Sequence, residues 1–353
     1  WTNKGHIPGA VRWDTTELAM TRIEGLAYAK DMMPTGAFMD SVIQRLGIDG
    51  NTTIVISLPK NSSIYNQSLV FWDLRYWGFA KNRIKILNGG DDAWDVAGYS
   101  LSTDAIAAYT SSNYSVKQNG KLASGVRYSI TEMIAKIDAF IADSSQLNTW
   151  QIIDVRGTDS PTYITGALRQ TSAIQFMVRV NDDTTKNYMY PTKDVLINKF
   201  QTLAVKNGTN DTFIDPTKKT ICYCNASLSA SPTFVLFDAV LGVADGYIQM
   251  YDGSANQFSL YSQQNIQKAF PNSTEAQRAA WSFNNYNSTA QSNLNRAQGI
   301  SSTVATDVSL FTVAPVLLPS DAHMNQMLIE DSSYMTPTST STTSSGGGSA
   351  SGC

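Results

Sequence analysis

The chain has 353 residues, a formal net charge of −3 at pH 7 and only 16% charged residues. Its length exceeds what one compact core requires and predicts two domains of roughly 150 residues with a further segment. The 26 basic residues form no stripe with interleaved aromatic residues, which argues against a nucleic-acid partner. No apolar run approaches the roughly 18 residues of a membrane span, so none is predicted.

The first half of the chain predicts an α/β core. Apolar residues recur at helical spacing between positions 38 and 46. Residues 53 to 57 (TIVIS) are typical of a buried strand, residues 68 to 78 (SLVFWDLRYWG) predict a helix, and residues 84 to 87 (IKIL) predict a second strand. Strands that alternate with helices in this order are typical of parallel sheets.

The second half repeats this alternation. A helical stripe of apolar residues between 130 and 141 is followed by predicted strands at 150 to 155 (WQIIDV) and 220 to 224 (TICYC). A helix is predicted at 231 to 242, and a further strand at 247 to 251. The sequence therefore predicts two α/β domains, each a parallel sheet with helices on both faces.

Composition gives the expected boundaries. The segment between about 100 and 128 is polar and rich in Gly and Ser, as in an interdomain connection. The region from 259 onward is rich in Asn, Gln and Ser, although its run at 309 to 319 (SLFTVAPVLLP) is too apolar for a free linker. The predicted units are a first domain at 1–105, a linker at 106–127, a second domain at 128–258, an appended segment at 259–335 and a low-complexity tail at 336–353.

Several motifs resemble the rhodanese family of thiosulfate and 3-mercaptopyruvate sulfurtransferases. In the first half, GHIPGA at 5 to 10 and L-x-GG-x-x-AW at 87 to 94 match a turn and a strand-to-helix junction of that family. The second half repeats the pattern more loosely, with IIDVR at 152 to 156, TGA at 165 to 167 and YDGS at 251 to 254. The resemblance covers roughly residues 1–100 and 128–258, and it implies two rhodanese-like domains in tandem.

The resemblance also implies a site. In tandem rhodaneses the first domain is catalytically empty, and the second holds a nucleophilic cysteine in a loop between a parallel strand and a helix. Cys224 follows the strand TICY, whereas the first-domain loop after TIVIS contains no cysteine. The loop implied to hold the substrate consists of Asn225, Ala226, Ser227, Leu228, Ser229 and Ala230. Independently of the family, a loop at a helix N-terminus aims backbone N–H groups at its centre, which stabilises a thiolate and later a persulfide. No cofactor is predicted.

This loop and the start of the chain depart from the family pattern. The loop lacks the Arg or Lys and the Gly that family loops commonly carry, so a donor anion loses a charge-assisted anchor. Asn225 begins one of nine Asn-x-Ser/Thr sequons, and a glycan there would obstruct the pocket. The family places a strand before the GHIPGA turn, whereas only Trp1–Lys4 precede Gly5. We therefore expect the opening strand either in residues that precede Trp1 or in another segment that adds to the open sheet edge in cis or in trans.

Other residues that draw attention are interpreted as structural. Cys222 lies on the same strand as Cys224, too far away for a disulfide, and is interpreted as a core cysteine. Asp154 and Arg156 either support the loop by hydrogen bonding or form a structural ion pair at the strand end.

The remaining candidate site residues are the two histidines and Cys353. The only two histidines, His6 and His323, are isolated, which predicts neither a metal site nor a Ser-His-Asp hydrolase. Cys353 follows a Gly/Ser-rich tether and is interpreted as an attachment point to a lipid or surface, or as an intermolecular disulfide partner. Three cysteines leave the redox compartment open, and the sequons favour export to the cell surface, the extracellular space or the periplasm.

Two main functions are consistent with these observations, and a carrier that binds sulfur or another chalcogen without turnover lies between them. The first is a sulfurtransferase in which Cys224 takes sulfane sulfur from thiosulfate or a mercaptoacid, forms a persulfide and passes the sulfur to a thiol acceptor. The alternative is a catalytically inactive rhodanese fold used as a surface or filament subunit, assembled by strand addition at the first domain and by the C-terminal tail. The position of Cys224 favours the first hypothesis; the missing cation, missing strand, sequons and tail favour the alternative.

Overall fold

A computed structural model describes residues 4–106, 109–156, 160–180, 188–284, 295–300, 307–312 and 325–336. The first half contains β1 (Met20–Glu24), β2 (Ala27–Met32), α1 (Gly36–Arg45), β3 (Ile54–Ile56), α2 (Ile64–Tyr76), β4 (Ile84–Ile86) and α3 (Gly90–Val96). α1 and α2 begin at Thr35 and Ser63, whose side chains accept backbone N–H hydrogen bonds. β3 and β4 pair in parallel, as the sequence predicts.

The second half is built around one sheet. Its elements are α4 (Ile130–Ala142), β5 (Trp150–Asp154), β6 (Tyr163–Ile164), β7 (Leu168–Arg169), β8 (Val178–Arg179), β9 (Tyr188–Met189), α5 (Lys193–Thr202), β10 (Val205–Asn207), β11 (Asn210–Thr212), β12 (Lys219–Tyr223), α6 (Ser231–Val235) and β13 (Ile248–Met250). The sheet has the order β11-β10-β7-β5-β12-β13. β12 pairs in parallel with β5 and β13, and β10 and β11 form an antiparallel hairpin at one edge. This largely parallel sheet with its helices confirms the predicted α/β class.

The remaining elements pack against both halves. They are α7 (Ser254–Phe258), α8 (Gln263–Ala269), α9 (Glu275–Trp281), β14 (Ala297–Gln298) and α10 (Gln326–Met335). Trp281, Phe283 and Phe311 join the apolar cluster around α4, whereas Met327 and Met335 of α10 join the cluster around α1 and α2. Residues 337–353 of the predicted tail, which include Cys353, lie outside the described residues. His323 also lies outside them.

The hydrophobic core does not divide at the predicted linker. The buried apolar residues form two clusters, but the larger one contains side chains from both halves. α2 packs against α6, where the rings of Phe71 and Phe234 lie 6.4 Å apart. The larger cluster therefore does not separate the two halves, and the two domains with their boundaries stay predictions. The spacing of apolar residues identifies which face of a helix or strand is buried, but it does not identify the element that packs against that face.

The predicted linker also packs closely. Tyr114, Val116 and Val126 are buried in the larger cluster, and the Trp72 indole N–H donates to the Val126 carbonyl at 2.9 Å. Asp40 on α1 accepts the Val116 N–H at 2.7 Å. These contacts hold the segment against the first half, although its composition is that of a flexible connection.

The β1–β2 hairpin, which the sequence analysis missed, joins the halves through buried charges. Arg127 donates from Nε to Asp252 at 2.9 Å and from Nη1 to Glu24 at 2.9 Å. All three side chains are almost completely buried. Beside them, Arg22 of β1 forms an ion pair with the buried Asp331 of α10. Arg127 therefore connects the hairpin to Asp252, two residues beyond the end of β13.

In the first half, β3 has a sheet partner on one side only. Among the described residues, β4 is the single strand that pairs with it. No helix in the described parts of the chain is long and apolar enough to cross a membrane.

Candidate active site around Cys224

The loop from Cys224 to Ala230 leaves the carboxyl end of β12 and turns directly into α6. Ser227 adopts a left-handed backbone conformation with φ of 55°, and the Ala230 N–H donates to the Ser227 carbonyl at 3.0 Å. The Ser231 hydroxyl donates to the Leu228 carbonyl at 2.8 Å. These local hydrogen bonds curl the loop around the sulfur atom. Cys224 itself is 2% exposed.

The polarity around the Cys224 sulfur comes from dipoles. Burial raises the pKa of Cys224, and the backbone N–H groups of Ala226, Ser229 and Ala230 oppose this effect. The Ala226 N–H donates to Sγ at 3.4 Å. The Ser254 side chain also lowers the pKa of the thiol. The leading influences on this sulfur are thus desolvation and hydrogen bonds rather than a cation.

Ser254 is a site residue that the sequence analysis missed. Its buried hydroxyl accepts the Cys224 N–H at 3.1 Å and donates to the Tyr251 carbonyl at 2.8 Å. Its backbone has φ of 52°. The YDGS motif at 251 to 254 indicates this turn through the family resemblance, but the motif alone does not predict that its serine contacts Cys224. A second hydrogen bond, from the Ala255 N–H to the Cys224 carbonyl at 3.0 Å, holds the same turn against the loop.

The other loop residues divide by exposure. Asn225 and Leu228 are exposed, whereas Ser227 is 1% exposed and Ala230 is fully buried. The Ser227 hydroxyl is buried without a hydrogen-bond partner among the described residues and is therefore free to bind a ligand group. The roles assigned to this loop from the sequence stay predictions.

Asp154 and Arg156 lie beside the loop rather than in it. The Arg156 Nε donates to Asp154 at 2.8 Å, and the Tyr223 hydroxyl donates to the same carboxylate at 2.8 Å. The Arg156 guanidinium lies 5.5 Å from the Tyr223 ring centroid. Both side chains contact Tyr223, next to Cys224 in the chain, and Arg156 also donates to the Thr162 carbonyl, so this pair supports the strand end.

Residues of the first half lie close to the loop. The Tyr65 carbonyl accepts the Ser231 hydroxyl at 3.1 Å. Burial raises the pKa of Tyr65, a hydrogen bond with Ser172 lowers it, and nearby Cys224 contributes a further increase. The Tyr65 side chain therefore lies within electrostatic reach of the Cys224 thiol, at the junction of the two halves.

Cys222 has a different environment. It is fully buried, its Sγ donates to the Ala230 carbonyl at 3.7 Å, and burial raises its pKa far above that of an ordinary thiol. This agrees with its interpretation as a core cysteine. The described residues contain no group of three or more His, Cys, Asp or Glu side chains that could hold a metal ion.

The first half has its own counterpart of the loop. The Leu87 N–H donates to the Ile56 carbonyl as the Tyr251 N–H donates to the Cys222 carbonyl. The carbonyls two residues after Ile56 and Cys222 are paired in the same way. The Asp91 N–H donates to the Leu58 carbonyl, and the Ala255 N–H donates to the Cys224 carbonyl. β3 therefore corresponds to β12, and Leu58 occupies the position equivalent to Cys224, so this loop has no thiol.

Comparison with known proteins agrees with this geometry. No protein-family model matches the sequence. Thiosulfate sulfurtransferase from Corynebacterium glutamicum is 25% identical over 266 residues, which cover 71% of this chain and 75% of that protein. SseA from Mycobacterium leprae is 26% identical over 252 residues, which cover 71% of this chain and 76% of SseA. These relatives support the assignment of the chain to the rhodanese/thiosulfate sulfurtransferase family.

The likeness extends to the fold. The crystal structure of the Tum1 protein from Saccharomyces cerevisiae aligns with this chain at a TM-score of 0.55 and 18% identity, over 74% of this chain and 82% of Tum1. The two proteins share a fold over that region. Within it, this chain places a buried thiol at the end of β12, among N–H groups and one serine hydroxyl.

Proposed function

We propose that this protein is a sulfurtransferase of the rhodanese type with Cys224 as its nucleophile. The observation that carries the proposal is the position of the Cys224 sulfur in a loop of three inward N–H groups beside the Ser254 hydroxyl. Such dipoles stabilise negative charge on a thiolate and on the outer sulfur of a persulfide. The sulfurtransferase from C. glutamicum supports this reaction class.

The reaction is a double displacement. With thiosulfate, the Cys224 thiolate attacks the outer sulfur, the S–S bond of the donor breaks, and sulfite leaves with the bonding electron pair. With 3-mercaptopyruvate, the C–S bond breaks instead, and the pyruvate enolate takes up a proton. In the second step an acceptor thiolate attacks the outer sulfur of the persulfide, which releases Cys224 as a thiolate. Neither step requires an external oxidant or reductant.

The loop residues have distinct roles in this proposal. The N–H groups of Ala226, Ser229 and Ala230 hold the charge on the transferred sulfur. The unpartnered Ser227 hydroxyl is available to the donor anion, which meets no loop cation. Because burial raises the pKa of Cys224, only a small thiolate fraction is present at neutral pH, and sulfur uptake is expected to be slow there and to rise with pH.

The test is to find the persulfide. Reduced protein is incubated with thiosulfate or 3-mercaptopyruvate and examined by intact and peptide mass spectrometry, where a sulfur adduct of about 32 Da is expected on Cys224. A thiol acceptor should remove it. Cys224→Ser should abolish the adduct, while Cys222→Ser, a matched change two residues away on the same strand, should retain it. An unmodified Cys224 with every donor, or an adduct on Cys222 alone, would disprove the assignment.

A further inference from the structure

The polar groups around the Cys224 sulfur are neutral. The Ala226 N–H donates to Sγ at 3.4 Å. The N–H groups of Ser229 and Ala230 and the Ser254 side chain form further hydrogen bonds that lower the pKa of the thiol. No charged side chain among the described residues is a leading influence on this pKa. A hydrogen bond from a neutral group stabilises an anion less than one from a cation does, so the sulfur lies in a site built from dipoles.

The charged groups beside the loop neutralise each other. Arg156 donates to the Asp154 carboxylate from Nε at 2.8 Å and from Nη2 at 2.5 Å, and it also donates to the Thr162 carbonyl. From the first half, Tyr65 brings an uncharged phenol within electrostatic reach of the thiol, and burial raises the pKa of that phenol. These described groups offer a sulfur donor hydrogen bonds but no unpaired positive charge.

Ser227 has a hydrogen bond to give. Its side chain is 1% exposed, and its hydroxyl has no partner among the described residues. A buried hydroxyl without a partner is unfavourable, and a ligand with an oxygen or sulfur acceptor removes that cost. Ser227 lies in the loop that curls around the sulfur, so a donor bound at Cys224 can supply that acceptor.

Net charge distinguishes the sulfur donors at such a site. The attacking group is the Cys224 thiolate, which already carries a negative charge. Thiosulfate is a dianion, whereas an organic thiosulfonate or an organic persulfide anion is singly charged. Because Cys224 is 2% exposed, water and salt screen the charges at its sulfur weakly, which increases both their repulsion and the cost of removing their hydration. The dianion is therefore the less favourable donor.

We propose that Cys224 takes sulfur from singly charged donors, namely organic thiosulfonates and organic persulfides, in preference to thiosulfate. This inference rests on the proposed function and names the donor class of the same site. With a thiosulfonate, the thiolate attacks the outer sulfur, the S–S bond breaks, and a sulfinate leaves with the bonding electron pair. With an organic persulfide, a thiolate leaves in the same way. Cys224 keeps the transferred sulfur as a persulfide, and neither reaction requires an oxidant or reductant.

The first test compares methanethiosulfonate with thiosulfate, which have the same tetrahedral shape and differ in charge. The rate constant of sulfur uptake by Cys224 is measured for each donor by mass spectrometry and divided by that for free cysteine, which removes the difference in donor reactivity. We expect the corrected constant to be at least about tenfold larger for methanethiosulfonate. Corrected constants that are equal, or larger for thiosulfate, would overturn this inference alone. An absence of any adduct from any donor would overturn the proposed function as well.

A cation placed in the loop should weaken the preference. Asn225→Lys adds a positive charge at the exposed residue next to Cys224. It should raise uptake from thiosulfate at least about threefold more than uptake from methanethiosulfonate, because an ammonium attracts a dianion more strongly. Asn113→Lys is the matched control, since Asn113 is also exposed and its neighbour Ser112 donates from its N–H to the Gln44 carbonyl of α1. Equal effects of the two substitutions on the donor ratio would contradict the charge argument.

Ser227→Ala tests the unpartnered hydroxyl. Because this hydroxyl has no partner among the described residues, its removal should not lower the free energy of unfolding in urea titrations. Uptake from both donors should nevertheless slow about fivefold, since each loses a hydrogen bond. Unchanged uptake by the folded variant would show that Ser227 does not bind the donor.

Discussion

Replacement of Arg127 by methionine tests the buried ion cluster between the hairpin and β13. The Arg127 side chain is 3% exposed, and Glu24 and Asp252 are both 0% exposed. Without Arg127, Glu24 loses the two donors that hold its carboxylate, while Asp252 keeps the Met33 N–H at 3.2 Å. Removing one partner from a buried ion pair costs about 3–5 kcal/mol. We expect Arg127→Met to lower the free energy of unfolding by that amount in urea titrations followed by circular dichroism.

The loss of stability caused by Arg127→Met should depend on pH. Burial raises the pKa of Glu24 even with Arg127 present, and loss of the guanidinium raises it further. A carboxyl with a raised folded-state pKa contributes stability that is present at low pH and lost as the pH rises above its unfolded value. The stability deficit of Arg127→Met should therefore be smaller at pH 5 than at pH 7.5.

A matched change shows what an exposed pair contributes. Arg12 and Asp14 are 53% and 36% exposed, so Arg12→Met should cost less than about 1 kcal/mol. If Arg127→Met cost no more than Arg12→Met, or if its deficit did not change with pH, the reasoning about the buried cluster would be refuted.

Two further predictions concern single buried groups. Both carboxylate oxygens of Asp73 are buried without a hydrogen-bond partner among the described residues, and burial raises the pKa of Asp73 well above its ordinary value. Asp73→Asn should therefore raise the free energy of unfolding. The gain should grow by up to about 1.4 kcal/mol per pH unit above about pH 4. A gain that stays constant from pH 4.5 to 8 would count against this prediction. Ser254→Ala removes a hydroxyl that lowers the pKa of Cys224. Sulfur uptake, measured by mass spectrometry, should therefore slow about tenfold at pH 8, and its pH profile should move to higher pH. An unchanged pH profile would assign Ser254 to structure alone.

Local sequence features predicted much of the fold. α4, β5 and β12 lie where the apolar spacing placed them, because side chains that face a core recur with the period of the helix or run continuously along a buried strand. The hairpin β1–β2 was missed because its buried strand positions include charged residues, among them Arg22 and Glu24. A charged side chain in a strand normally indicates a solvent-exposed face, and here each charge has a buried partner from a distant part of the chain.

The sequence by itself indicated the rhodanese resemblance, the α/β class and the position of Cys224 at a strand end, since these depend on motifs and short-range periodicity. Only the tertiary structure decided that Arg127 pairs with Glu24 and Asp252, which lie 103 and 125 residues away. It also brought Ser254 to Cys224, 30 residues away, and left Val55 of β3 exposed. Periodicity shows which side of an element is buried, but the partner that buries it, or its absence, follows from how the elements pack.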